Sequence, residues 1–327
     1  MKLVECKAEL IQQKGGLEGL YRHIETCGRV PYKSEGKSDG TIEGAKAFVG
    51  RILKAKHNAV LEHGTVYLHY HGCSNILSKY NSNPYSRCVE IYDHKTVCQD
   101  DVDYYYHYYV TTNYRVLVEN GWLDDLHYMC EPTEYHVKRY TFKVVTSIGV
   151  TREFNRHRVL SILEQSTRYC NFSTDKFDNQ VSFCKPSWLD LNLGTYERVD
   201  NNKDLGDVVG DGYIKNVSNR DEDNLFLTSC LFAEDTYKEL LEDGWKPQQA
   251  REILPLCTAT EAVYTGFTDQ WNHFFCLRYL GTTGAPHPNM KELTVKMKEV
   301  AEKAGIWENI TIATPDKDII NEPTDKL

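Results

Sequence analysis

The sequence predicts a mixed α/β domain. Segments with apolar residues at helical spacing alternate with segments rich in β-branched and aromatic residues. No internal repeat or low-complexity linker divides them, and no apolar run is long enough to span a bilayer. A chain of 327 residues could form one large domain or two ordinary ones. The lack of a linker favours one domain over 1–327.

The first helix reads from Leu17 to Thr26 and ends near Gly28. A second begins after Thr41, which can cap it, because Ile42, Ala45, Val49, Ile52 and Leu53 recur at helical spacing. A strand follows from Thr65 to Tyr70. The next seventy or so residues centre on Asp103-Tyr104-Tyr105-Tyr106-His107-Tyr108-Tyr109, a strand-like aromatic run that reads as an inserted hairpin or small subdomain. Tyr140–Val145 reads as a strand and leads into a helix from about Ser147. Ser173–Trp188 is short-strand and loop material, and the Asn/Asp/Gly-rich stretch 190–223 is a surface excursion. Leu225–Asp243 is an amphipathic helix stopped by Gly244, and Pro247 opens a short helix that ends before Pro255. Thr258–Arg278, with Tyr264, Trp271, Phe274 and Phe275, reads as helical. A last helix, Pro288–Ala304, carries Met290, Leu293, Met297 and Val300 on one face and stops at Gly305. A loose tail is expected from about 315.

The net charge of −9 argues against a nucleic-acid polymer as partner, since that needs a basic footprint. The N-terminal residues lack the apolar core of a signal peptide, and eleven cysteines are scattered without a Cys-x-x-Cys pair. That pattern suits reduced thiols, so a cytoplasmic location without membrane attachment is expected. His69 and His71 alternate on a strand and could converge on a metal, with Cys73, Cys88 and His94 nearby in sequence. No second ligand pair stands at a recognisable spacing, so no metal site is expected.

Against the acidic background, Arg152, Arg156, Arg158 and Arg168 crowd between positions 152 and 168. Arginine presents a rigid fork of donors that matches phosphate and carboxylate oxygens. The cluster therefore reads either as a pocket for a small anion or as a set of surface ion pairs, which contribute little.

The order within the cluster is specific. Arg156-His157-Arg158 is followed by Ser161, Glu164, Ser166 and Arg168-Tyr169. This string resembles the signature of the flavin-dependent thymidylate synthases. Arg29-Val30-Pro31-Tyr32-Lys33-Ser34, His57 through Glu62-His63, and Thr141-Phe142-Lys143-Val144 are similar to further segments of that family. So are Gln249-Ala250-Arg251-Glu252-Ile253-Leu254-Pro255, Trp271-Asn272-His273-Phe274 through Leu277-Arg278, and His287. The resemblance covers most of the chain outside two insertions, at about 71–139 and 190–223.

The resemblance implies a central, mostly antiparallel sheet flanked by helices, with a strand-rich insertion. It implies methylation of dUMP to dTMP, with methylenetetrahydrofolate giving the carbon, reduced FAD the hydride and NADPH regenerating the flavin. No Gly-x-Gly-x-x-Gly follows a strand, so the flavin site is of non-Rossmann type. By resemblance, the substrate is held by Glu153, Arg156, Glu164, Gln165, Ser166, Thr167, Arg168, Arg251 and Arg278. Arg278 and Ser166 are the catalytic residues, Arg278 steadying negative charge on the uracil and Ser166 acting without a nucleophilic triad. The flavin is assigned to His57, Ala59, Arg156, His157, Arg158, Val159, Glu164, His273 and His287, and the sites are expected between subunits of a homotetramer.

Each residue also has a plain structural explanation. Ser166 could cap a helix, Arg251 could pair with Glu252, His273 could be a satisfied core histidine and His287 could only precede the last helix. Three positions depart from the family pattern: Ala59 replaces a hydroxyl, Glu153 stands where some relatives carry Gln, and Phe267-Thr268-Asp269 replaces a frequent Asn-x-Arg. A phosphate-ester hydrolase or transferase using His157, and a non-catalytic nucleotide-binding protein, are the alternatives the same pocket allows.

Overall fold

The computed structural model describes residues 1–72, 75–98, 101–197, 218 and 220–310, with the backbone alone at 93–98 and 101–105. In chain order, β1 (Lys2–Val4) and β2 (Lys7–Ile11) precede α1 (Gly16–Arg29) and α2 (Ile42–Ala55). Next come β3 (Thr65–His71), α3 (Ile76–Asn81), β4 (Arg87–Cys98), β5 (Asp101–Asn113) and α4 (Tyr114–Asn120). Then follow β6 (Arg139–Ser147), α5 (Ile148–Phe154), β7 (Ser161–Glu164), β8 (Ser182–Cys184) and β9 (Gly194–Thr195). The chain continues through α6 (Asp221–Glu242), α7 (Pro247–Ala250), β10 (Ala259–Phe267), α8 (Thr268–Phe275) and α9 (Pro288–Lys303). No helix among the described residues is long and apolar enough to cross a membrane.

The expected antiparallel sheet is present, in the order β2-β6-β10-β7. A second antiparallel sheet, β3-β5-β4, contains the expected hairpin of the insertion. The small third sheet, β8-β1-β9, holds one parallel pairing, β1 with β8. Thr41 caps α2 as its sequence suggests, with Oγ1 accepting from the Gly44 amide at 3.0 Å. Ser147 does the same for α5, accepting from Val150 at 3.3 Å. The α9 helix stops before Gly305, whose φ of 67° suits a residue without a Cβ.

The insertion is not a free-standing unit. Val110, Tyr108 and Leu117 share one apolar core with Leu20 and Ile24 of α1, Val49 of α2, and Leu163 and Val263 of the central sheet. A second core packs Phe142, Phe154, Tyr264, Trp271, Phe274, Met290 and Met297 between the sheet and helices α5, α8 and α9. The third joins Leu3 and Phe183 to Leu227, Leu231 and Tyr237 of α6. Most of the excursion at 190–223, namely 198–217 and 219, and the tail expected from about 315 lie outside the described residues.

One expectation is corrected. Thr258–Arg278 is not a single helix: Ala259–Phe267 is the nine-residue strand β10, and only Thr268–Phe275 is α-helical, continuing as a π-type turn over Cys276–Leu280. A strand flanked by partners on both edges and buried on both faces loses its period-two alternation. Its apolar run can then be read as either helix or strand. Thr260, Val263, Tyr264, Thr265 and Phe267, all β-branched or aromatic, resolve it as a strand.

Gly266 of β10 is closely packed, since a Cβ there would lie 2.3 Å from Leu160 Cδ2. Gly266→Ala is therefore expected to destabilise the fold by about 1–3 kcal/mol, as overpacked cores do. Urea unfolding measures it, and unchanged stability would show that the contact yields freely.

Candidate active site

Strand β10 organises the nominated residues by what it touches at each end. Along its edge, Ala262 pairs with Glu164, and the Gln165 amide donates to Glu261 O at 2.7 Å. At its far end it feeds α8, which carries His273 and leads to Arg278. On its other side, β6 runs antiparallel and delivers α5, which carries Glu153 and leads to the Arg156-His157-Arg158 triplet.

The first cluster forms where α5 meets the end of α8. Arg278 Nε donates to His157 Nε2 at 3.2 Å, Nη1 to Glu153 Oε2 at 3.3 Å, and Nη2 to the Glu153 carbonyl at 3.4 Å. Glu153, which departs from the family pattern, is thus an acceptor for the guanidinium. The His157 ring meets Phe274 edge-on at 5.0 Å and His273 at 6.0 Å. His273 is exposed, so it is not a satisfied core histidine. Burial above all, and then the positive charge of Arg278, lower the His157 pKa to about 4. Its imidazole is therefore neutral near pH 7, and Nε2 accepts from Arg278.

Glu164 is linked to the same helix. Thr151 Oγ1 donates to its Oε1 at 2.8 Å and Asn155 Nδ2 to Oε2 at 3.5 Å. Burial raises its carboxyl pKa above the ordinary value despite these donors. Thr151 and Asn155 were not singled out from sequence, although Asn155 stands immediately before the triplet.

The second cluster lies just beyond β7. The Ser166 amide donates to Pro31 O at 2.8 Å, and its carbonyl accepts from the Cys170 amide at 2.9 Å. Ser166 therefore begins a turn and caps no α-helix. Arg251, from the turn after α7, donates to Thr167 Oγ1 at 2.8 Å. Its contact with Glu252 is longer, 3.5 Å, and Glu252 is exposed. Arg168 lies 5.4 Å from the Tyr169 ring, and Tyr32 packs against that ring at 5.7 Å. Lys33, next to Tyr32, pairs with Glu261 beneath the turn.

Arg156, Arg158, Arg168 and Val159 are exposed. None of these three arginines, nor Arg152, makes an ion pair with a carboxylate among the described residues. Reading the cluster as a set of surface ion pairs therefore finds no support.

Two of the nominated residues stand apart. His57 and Ala59 are exposed at a 3₁₀ turn, Asn58–His63, and neither bonds with the other nominated residues. His287 caps α9, its Nδ1 accepting from the Asn289 amide at 3.3 Å, as its plain structural explanation has it. It also packs edge-on against Trp188 at 5.7 Å, and shares with Glu153 and Trp188 a groove of about 710 Å³. Asp269 pairs with Arg87 of the insertion at 3.2 Å, which gives that departure a structural use.

The model of the thymidylate synthase complementing protein family matches residues 130–304, more than half of the 327 residues. The chain belongs to this family. The match takes in the first cluster and, from the second, Ser166 to Arg168 and Arg251, but begins after the segments around Arg29 and His57. No curated protein matches the chain. Its structure is similar to two solved structures of the UMP/dUMP methylase PolB from Streptomyces cacaoi, one bound with 5-Br dUMP and one with 5-Br UMP. The first has 16% identity and a TM-score of 0.40, covering 94% of this chain and 96% of that one. The second has 14% identity and a TM-score of 0.40, covering 96% of each chain.

Replacing Arg278 with Met removes one of the causes that hold His157 neutral. Its titration in imidazole NMR is expected to move upward from about 4 while staying below 6.5, because burial remains. A histidine with a lowered folded pKa contributes stability above 6.5 that is lost as pH falls toward 4, so the variant should also resist acid slightly better in this window. An unmoved His157 titration would mean that the guanidinium does not bear on the ring.

Proposed function

We propose that this chain reductively methylates dUMP to dTMP, taking the carbon from methylenetetrahydrofolate and the hydride from FAD reduced by NADPH. Family membership supports the thymidylate-forming reaction. The observation that carries the reading further is the set of exposed arginines without carboxylate partners among the described residues, on a protein of net charge −9, beside a partly buried Arg–His–Glu cluster.

Ser166, Thr167 and Arg168 would hold the nucleotide phosphate, with Gln165 behind them. Arg251 already reaches Thr167 and would complete the fork. Charge-assisted bonds of this kind contribute about 1.5–3 kcal/mol each. Arg278 would face the uracil edge and stabilise negative charge there as the ring loses its N3 proton. Glu153 and His157 aim that guanidinium, so His157 acts by positioning it. Ser166 contributes by binding, and no base stands ready to make it a nucleophile. Glu164, kept partly proton-seeking by burial, sits between the two clusters and would meet both ligands.

The donor set also fits a flavin: Arg156 and Arg158 offer for its phosphates guanidinium groups that have no carboxylate partner among the described residues, with Val159 and His273 exposed beside them. FAD, when bound, supplies the hydride. His57, Ala59 and His287 complete the proposed set, and the separation of His57 and Ala59 from the other residues within one chain supports a site finished by further copies, as in a homotetramer. The single domain over 1–327, with its two insertions, belongs to the same proposal.

The hydrolase alternative needs His157 as a base, yet its Nε2 lone pair already accepts from Arg278. A non-catalytic nucleotide-binding protein would bind dUMP without releasing tritium from its C5 position. With FAD, NADPH and methylenetetrahydrofolate present, the proposal expects that release; binding without release would overturn it. Arg168→Ala should weaken dUMP binding roughly tenfold to a hundredfold and leave FAD largely bound. Equal loss of both ligands would contradict the division between the clusters.

A further inference from the structure

The imidazoles of the second sheet are used by none of this chemistry. His69 and His71 alternate on β3 and share one face, while Tyr70 between them turns to the opposite side and is buried against Tyr80. In the antiparallel register, His71 stands directly opposite His107 on β5, and His69 directly opposite Tyr109. His107 is therefore across from one histidine and diagonal to the other. Sequence showed only the first pair, because the third ring arrives by strand pairing rather than by spacing.

We propose that His69, His71 and His107 bind a divalent metal ion of the zinc class. One ring nitrogen from each lies within 4.8 Å of the others. Bonds of about 2.0–2.1 Å to a tetrahedral Zn²⁺ place two ligand nitrogens about 3.3 Å apart. His69 Nε2 and His107 Nδ1 are already 3.1 Å apart. A metal ion would replace the hydrogen bond between them and demand only a small turn of the rings. Imidazole is a preferred ligand for zinc, copper and nickel, whereas calcium and magnesium seek oxygen.

The surroundings hold the rings in place. Tyr109 stacks on His69 at 4.5 Å with planes 9° apart, and is itself packed against Tyr135 at 4.9 Å. His136 stands close by but is already committed. Its Nδ1 accepts from the Thr133 amide at 3.1 Å, and Nε2 donates to Leu68 O at 3.1 Å. The site thus offers three imidazoles from this group and leaves a fourth position for water or an incoming donor. His71 is exposed, which gives an ion a way in from solvent.

The test uses full-length, tag-free protein stripped of metal, titrated with Zn²⁺ by calorimetry and with Co²⁺ by absorption. One equivalent is expected, with the visible bands of a low-coordinate cobalt site and no thiolate charge-transfer band. His71→Gln and His107→Gln should each weaken Zn²⁺ binding at least tenfold, since even supporting residues around a metal contribute that much. His71→Gln should leave metal-free melting unchanged, the side chain being exposed. Ring-nitrogen NMR of the unsubstituted protein provides a second readout in which three imidazoles shift together with Zn²⁺. No stoichiometric binding, an affinity unchanged by either substitution, or a shift of fewer than three rings would overturn the proposal.

Discussion

The central constraint is that β10 pairs on both edges at once. Nine residue pairs join it to β6 and four join it to β7, so both neighbours are held in register against the same strand. Because α5 follows β6 and α8 follows β10, that register fixes where the two helices meet. Phe154 and Phe274, one from each, stack at 4.3 Å, and Phe154 stacks on Tyr264 of β10 at 3.7 Å. The guanidinium of Arg278 and the imidazole of His157 come within hydrogen-bond reach as a result of this aromatic packing.

The same strand pairing separates the site into two parts. On one side, partly buried groups hold each other: Arg278 bonds with Glu153 and His157, and Glu164 with Thr151 and Asn155. On the other, Arg156, Arg158 and Arg168 extend outward without carboxylate partners among the described residues. Burial keeps His157 neutral and Glu164 reluctant to ionise, so the cationic character of the region comes from its arginines. On a protein of net charge −9, that local concentration of exposed arginines is what the proposed binding of small anionic ligands rests on.

Much of this was legible in the sequence where the signal was local. Thr41 and Ser147 announce their helices, and Gly305 ends the last one, because capping and left-handed turns depend on residue type at one position. The Arg156–Arg168 string is likewise a local pattern, and the family match covers it. Strand β10 was misread because a strand buried on both faces has no alternation to display. Thr151 and Asn155 were missed because what makes them matter is a carboxylate on a neighbouring strand. The His107 partnership was invisible for a similar reason, as it exists only through the β3–β5 register. His287 showed its ambiguity truthfully: it caps α9 and also borders a groove with Glu153.

The measurement that bears most directly on the proposed chemistry is the flavin absorbance of the purified protein under anaerobic conditions. The account predicts a yellow protein, or one made yellow by FAD, that bleaches on addition of NADPH. Its colour should return when dUMP and methylenetetrahydrofolate are supplied, with dTMP formed in proportion. A colourless protein that FAD cannot reconstitute, or a bound flavin that NADPH leaves oxidised, would contradict it.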